Sequence, residues 1–124
     1  MSWSPMLWVA MAGSLGAAGR FVVDGLVRAR FGRRFPLGTL TINVSGSFAL
    51  GIFTALVLFH HQSTLWTTIG GTGLCAGFTT FSTASFETVR FLQERAYRLA
   101  ALNGGGSIVF TLAAGALGLL LGRL

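Results

Sequence analysis

Charged residues are scarce in this 124-residue chain, which contains no lysine and only three carboxylates. Hydrophobic residues make up 52% of it and the mean hydropathy is +0.71. This composition is typical of a membrane protein and excludes an ordinary water-soluble domain. The nine basic residues are all arginines and lie at the ends of apolar segments. Because this placement suits lipid headgroups and membrane topology, we expect a membrane lipid environment and no nucleic-acid partner.

Reactive side chains are also few. Cys75 is the only cysteine, so one chain can form neither a disulfide nor a thiolate metal site, and we expect Cys75 to serve packing. His60 and His61 fall in a predicted loop, where solvation and weak metal binding remain alternatives. No nucleophile, base and orienting group occur in a catalytic pattern, so we predict that the protein is not an enzyme. No basic segment precedes the first apolar run, so no cleaved signal peptide is expected.

The three carboxylates lie near predicted membrane boundaries, each with an arginine within helical reach. A proton-coupled exporter needs a titratable group deep in its bundle, and the first apolar segment offers none before Arg20. Arg20 itself has two interpretations, attraction of anions or a structural role at the membrane interface. The ion pairs that the spacing predicts are Arg20–Asp24, Arg90–Glu87 and Arg98–Glu94.

Four apolar windows are long enough to cross a bilayer, which takes about 20 residues each. We predict an all-α membrane protein with a single transmembrane domain over residues 1–124. The third helix, at about 27 residues, would be roughly 40 Å long against about 30 Å of hydrocarbon, so it can lose length to a break. The predicted helices are 5–27, 37–59, 65–91 and 99–121.

The segment 73–86 places glycines and many hydroxyls inside the third apolar window. Lipid cannot hydrogen-bond a freed backbone group, so irregular chain at this depth must be buried in protein or line a polar cavity. A broken helix offers both carbonyls and N–H groups to ions. The sequence therefore predicts a third helix that unwinds around Gly77 and forms part of an ion site.

Arginine placement predicts the orientation of the chain. Four arginines fall in the first connection and three in the third, whereas the second connection, residues 60–64, has none. The positive-inside rule then puts the first and third connections in the cytoplasm and both termini outside. The arginines concerned are Arg28, Arg30, Arg33, Arg34, Arg90, Arg95 and Arg98.

Polar residues recur at helical spacing in two of the predicted spans. Asn43 and Ser47 share a face of the second, and Asn103, Ser107 and Thr111 share a face of the fourth. Hydrogen bonds between helices and a role in an ion path remain alternatives for these residues. Amides and hydroxyls can donate to an anion without carrying charge, so they can replace hydration water and still release the ion.

Three motifs together resemble the small fluoride-channel family known as Fluc or CrcB: Gly77-Phe-Thr-Thr-Phe-Ser-Thr83, Asn43-Val-Ser-Gly46 and Gly16-Ala-Ala-Gly-Arg20. The likeness spans nearly the whole chain, including its length and the order of the motifs. It implies a bacterial inner (plasma) membrane channel that exports fluoride passively. It also implies an antiparallel, dual-topology homodimer with a structural sodium ion at its centre.

The resemblance also assigns residues. It implies that the backbone carbonyls of Gly77 and Thr80 bind sodium together with the same pair from the second copy. It places Asn43, Phe81, Ser107 and Thr111 on the fluoride path. The ring edge of Phe81 carries partial positive charge that can face an anion.

Two features depart from the family. Ala84 stands where family members usually have a second pore phenylalanine, which puts the conduction rate in question. The arginine bias favours one orientation, whereas an antiparallel dimer needs both, and a paralogue of opposite orientation is the alternative partner. A small proton-coupled multidrug exporter and a structural membrane subunit remain alternative functions.

Overall fold

The computed structural model describes residues 3–32 and 35–124, and these residues form helices without any strand. Arg33 and Arg34, which belong to the predicted first connection, lie outside the described residues. The helical elements are α1 (Trp3–Phe31), α2 (Leu37–Phe59), a π-helix (Trp66–Cys75), α3 (Ala76–Phe78), α4 (Phe81–Gln93) and α5 (Tyr97–Arg123).

Three of the described helices are long and apolar enough to cross a membrane: Ser4–Phe31 within α1, Leu37–Phe59 and Tyr97–Arg123. The first and last extend beyond the predicted ranges 5–27 and 99–121. The predicted third span, 65–91, is divided into the π-helix, α3 and α4, and none of these pieces reaches 18 residues. Many large apolar side chains face outward, including Phe21 at 82% and Phe81 at 87% exposure.

Small residues let the helices approach closely, as expected where no hydrophobic force drives apolar helices together in lipid. A methyl group at Gly51 of α2 would overlap the Gly115 carbonyl of α5, and one at Gly118 would overlap the Phe48 carbonyl. On the other side of the bundle, a methyl group at Gly16 of α1 would overlap the Leu74 carbonyl of the π-helix. Backbone contact between helices therefore requires glycine at these positions.

Gly77, around which we predicted that the chain unwinds, is helical in α3. The extended residues are Thr79 (φ −79°, ψ 160°) and Thr80 (φ −149°, ψ 110°), which we call the extended pair. Gly77 instead allows contact with α1, because a methyl group there would overlap the Gly13 carbonyl. The β-branched side chains of Thr79 and Thr80 suit extended backbone.

Candidate functional site

Asn43 of α2 supports the extended backbone at Thr80. Its Nδ2 donates to the Thr80 carbonyl at 3.0 Å, and its Oδ1 accepts from the Thr80 N–H at 2.8 Å. Both residues are buried, at 8% and 9% exposure. A buried peptide group outside a helix needs such partners. Since an amide has two N–H donors, one donor of Asn43 remains for another acceptor.

The side chains of Thr79 and Thr80 form hydrogen bonds that cap the ends of the two neighbouring helices. Thr79 donates its Oγ1 hydrogen to the Cys75 carbonyl at 2.9 Å. Thr80 precedes α4, and its Oγ1 accepts from the Thr83 N–H at 3.2 Å and donates to Thr83 Oγ1 at 3.1 Å. Thr80 is therefore the N-cap of α4, a position where threonine stabilises the first turn.

A first cavity of about 650 Å³ lies between α2, α4, α5 and the π-helix. It brings together all four residues predicted for the anion path, Asn43, Phe81, Ser107 and Thr111. Further polar residues on its walls are Ser47, Thr79, Ser85 and Thr88.

The hydroxyl groups of Ser107 and Thr111 on α5 differ in whether their hydrogen is free to bind an ion. Thr111 donates its Oγ1 hydrogen to the Ser107 carbonyl at 2.5 Å, with a second carbonyl, that of Ile108, at 3.2 Å. Ser107 Oγ makes no hydrogen bond to any described residue, so its hydrogen can point into the first cavity. Ser107 is thus the better donor to an anion.

Asn103, at the start of the same predicted polar face, does not line the first cavity. It is 2% exposed and donates Nδ2 to Thr88 Oγ1 at 2.8 Å and to the Ala84 carbonyl at 3.3 Å. Asn103 therefore joins α5 to α4, and only Ser107 and Thr111 of that face reach the cavity. Ala84 lines the cavity beside Phe81.

A second cavity of about 550 Å³ borders the other side of the extended pair, since Thr80 lines it and Thr79 lines the first. Its charged residues are Arg20 and Asp24, and Arg20 Nη1 lies 3.5 Å from the Thr79 carbonyl. The polar side chains of Thr39, Ser82 and Thr83 also line it.

The predicted ion pairs are wrong, because Asp24 and Glu94 each pair with a different arginine from the one predicted. Asp24 Oδ2 accepts from Arg28 Nε at 2.9 Å rather than from Arg20. Glu94 pairs with Arg90, at 4.0 Å, rather than with Arg98. In both pairs the acid and the base are four residues apart.

Glu87, expected to pair with Arg90, instead accepts a hydrogen bond from Thr39 Oγ1 at 2.7 Å. Glu87 is 5% and Thr39 2% exposed, so this carboxyl is buried between α4 and α2. His60 is exposed, and its Nε2 lies 2.7 Å from the Gly122 carbonyl, which joins the ends of α2 and α5.

Of the two predicted sodium ligands, Gly77 lies two residues before the extended pair and Thr80 is its second residue. Gly77 belongs to the last residues of α3, whose carbonyls lack helical partners, and the Thr80 carbonyl keeps one lone pair beyond its bond from Asn43. The described residues contain no group of three or more His, Cys, Asp and Glu side chains that could hold a metal. Uncharged carbonyl oxygens fit a hard cation such as sodium, so the donor set suits the ion.

Comparison with known proteins decides the family. The sequence profile described as CrcB-like protein, Camphor Resistance (CrcB), matches residues 7–119. This chain belongs to the CrcB family. The resemblance drawn from its three motifs is thereby confirmed.

Named relatives of this CrcB chain come from bacteria and archaea. It is 54% identical to fluoride-specific ion channel FluC 1 of Leifsonia xyli subsp. xyli, over 96% of this chain and 87% of the relative. It is 48% identical to FluC 2 of Cutibacterium acnes, over 94% and 96%. It is 37% identical to FluC of Pyrococcus abyssi, over 99% of both. These relatives are named as channels rather than enzymes, and the long apolar helices make this CrcB chain a multi-pass membrane protein.

Thr39 and Glu87 are buried polar residues of this CrcB chain that were not among the predicted site residues. Thr39 lies four residues before Asn43, so it extends the face that Asn43 and Ser47 share. This four-residue spacing could have predicted Thr39 as part of the same polar face. Glu87 lies seven residues after Thr80, and its burial depends on how α4 packs against α2, which local spacing does not specify.

Proposed function

We propose that the chain forms a fluoride-selective channel through which fluoride leaves the cytoplasm passively. The observation that carries this proposal is the first cavity, where Asn43, Phe81, Ser107 and Thr111 meet from three helices. The names of the CrcB relatives, fluoride-specific ion channels, support the choice of ion.

The proposed mechanism rests on several uncharged donors acting together. Fluoride is small and strongly hydrated, so its passage requires donors that offset the cost of dehydration. The second N–H of Asn43, the hydroxyl of Ser107 and the ring edge of Phe81 provide such donors without a fixed charge that would hold the ion. An inside-negative membrane potential then drives the anion outward.

Arg20 in the second cavity attracts anions to the extended pair in this proposal. Its guanidinium shares that cavity with hydroxyls of Thr39, Ser82 and Thr83. A cavity whose walls have low dielectric focuses the field of such a charge and raises the local anion concentration. The second cavity is therefore the proposed approach to the path, and the first cavity is the proposed path itself.

A structural sodium ion would be held by the carbonyls of Gly77 and Thr80. It would supply positive potential near the path, which lowers the cost of bringing an anion into low dielectric. One chain offers two of these carbonyls, so a four-oxygen site on a two-fold axis needs a second copy. The residues present fit this arrangement because Gly77 is at the end of α3, where carbonyls lack helical partners, and Thr80 is itself extended.

We further propose that the π-helix, α3 and α4 together make the third of four membrane spans, broken at Thr79 and Thr80. The outward apolar side chains other than Phe81, such as Phe21, then face lipid or a second, antiparallel copy in the bacterial inner membrane. In this arrangement the entire chain is one transmembrane domain.

A proton-coupled exporter is the second candidate function, because Glu87 is a buried carboxyl of the kind that such a protein requires. The two candidates predict different fluxes from liposomes that contain the purified protein. For the channel we expect fluoride efflux when a potassium ionophore is present, no chloride efflux, and no dependence on a proton gradient. A flux that needs the gradient would favour the exporter. No fluoride efflux from folded protein would favour a structural subunit.

A further inference from the structure

Three charged residues of α1, Arg20, Asp24 and Arg28, recur at four-residue spacing and so share one face of the helix. The Asp24 carboxylate can reach the arginine on either side of it. It pairs with Arg28, with Asp24 Oδ2 and Arg28 Nε 2.9 Å apart. Arg28, rather than Arg20, is therefore the partner of Asp24.

This pairing determines the charge of the second cavity, which Arg20 and Asp24 both line. Across residues 3–32 and 35–124 the salt bridges are Arg28–Asp24 and Arg90–Glu94, so Arg20 contacts no carboxylate there. Arg20 instead donates from Nη1 to the Thr79 carbonyl, at 3.5 Å. The Arg20 guanidinium is therefore in no ion pair with a described carboxylate, although Asp24 lines the same cavity.

Asp24 also keeps an unused acceptor. Its Oδ1 is buried and has no hydrogen-bond partner among the described residues. Without Arg28, the closest cation on the same helix face is Arg20, one turn earlier. A carboxylate that turned to Arg20 would neutralise the one basic side chain that lines the second cavity within residues 3–32 and 35–124.

We propose that Arg28 is a positioning residue for anion entry: by holding the Asp24 carboxylate, it leaves Arg20 free to attract anions into the second cavity. This inference rests on the proposed function, in which the second cavity is the approach to the fluoride path. Arg28 acts through Asp24 and Arg20 and does not itself touch the ion.

The test compares fluoride efflux from liposomes over a range of fluoride concentrations. We expect Arg28→Gln to lower the rate about tenfold at low fluoride and little at saturating fluoride, because it weakens attraction rather than passage. Arg28→Lys keeps the ion pair and should be close to wild type. Arg30→Gln is the matched control, because it removes the same charge from an exposed position on the same turn.

The double variant Arg28→Gln/Asp24→Asn should recover the wild-type rate. In a protein that already carries Arg20→Gln, adding Arg28→Gln should have no further effect on the rate. A loss of rate that persists in the double variant, or that is equal at all fluoride concentrations, would overturn the inference.

A structure of the Arg28→Gln protein gives a readout that does not depend on flux. We expect Asp24 within 4.0 Å of Arg20 there, and a carboxylate that stays in place would overturn the inference even if the wild-type protein conducts fluoride.

Discussion

The side chain of Asn43 and the backbone of Thr80 satisfy each other through two hydrogen bonds, of 3.0 Å and 2.8 Å. The two residues are 37 positions apart in sequence. This pairing replaces the helical hydrogen bonds that Thr80 loses by being extended. It also places the remaining donor of Asn43 at the wall of the first cavity, so one residue serves both the backbone and the proposed path.

Replacing Asn43 with alanine should therefore affect stability and flux together. Loss of the amide leaves the buried N–H and carbonyl of Thr80 without their partner, which we expect to cost about 1–3 kcal/mol of unfolding free energy. Fluoride efflux should also fall. Denaturant unfolding in detergent and liposome flux measure the two effects. Ser45→Ala, on an exposed position of α2, is the control and should change neither. Wild-type stability and flux in Asn43→Ala would remove Asn43 from both roles.

Much of the fold follows from the sequence because long apolar windows specify α1, α2 and α5. The position of the extended residues does not follow from it. Gly77 is intrinsically the most flexible residue of its motif, yet contact with Gly13 keeps it in a helix. Thr79 and Thr80 are extended because Asn43, on another helix, satisfies the backbone of Thr80. Tertiary contacts, which local sequence does not reveal, decide the outcome.

The site shows the same division between local and tertiary information. Helical spacing correctly groups Ser107 with Thr111 on one cavity wall. Helical spacing does not predict that Asn103, one turn earlier, hydrogen-bonds to Thr88 of α4 instead of lining the cavity. Spacing also leaves Arg20 and Arg28 equally distant from Asp24, and only side-chain geometry selects Arg28.

The buried bond between Thr39 and Glu87 should contribute to stability. Thr39→Val removes the hydroxyl and leaves the Glu87 carboxyl without its donor, which we expect to cost about 1–3 kcal/mol. Adding Glu87→Leu to Thr39→Val should recover part of this loss, because two apolar groups can replace a hydrogen-bonded pair. Unfolding in detergent measures both variants. Additive losses in the double variant would show that the two side chains do not depend on each other.

Ala84 leaves the first cavity with one aromatic ring, that of Phe81. We expect Ala84→Phe to raise the fluoride efflux rate, because a second ring edge would face the proposed path. The backbone should tolerate the change, since the carbonyl of Ala84, not its methyl group, bonds to Asn103 and Thr88. Ala84→Leu, which adds volume without a ring, is the matched control and should not raise the rate. An unchanged rate in Ala84→Phe would show that the second ring is not needed here.

The fluoride efflux rate of Ser107→Ala, set beside that of Ser45→Ala in matched liposomes, tests most directly whether the first cavity carries the ion. Ser107 Oγ is a free donor on the cavity wall, whereas Ser45 Oγ donates to the Thr41 carbonyl on an exposed face. A hydrogen bond to a charged group contributes about 1.5–3 kcal/mol, so losing it should lower the rate about tenfold or more. Ser45→Ala should match the wild type. A wild-type rate in Ser107→Ala, with the protein folded and assembled, would contradict the proposed path.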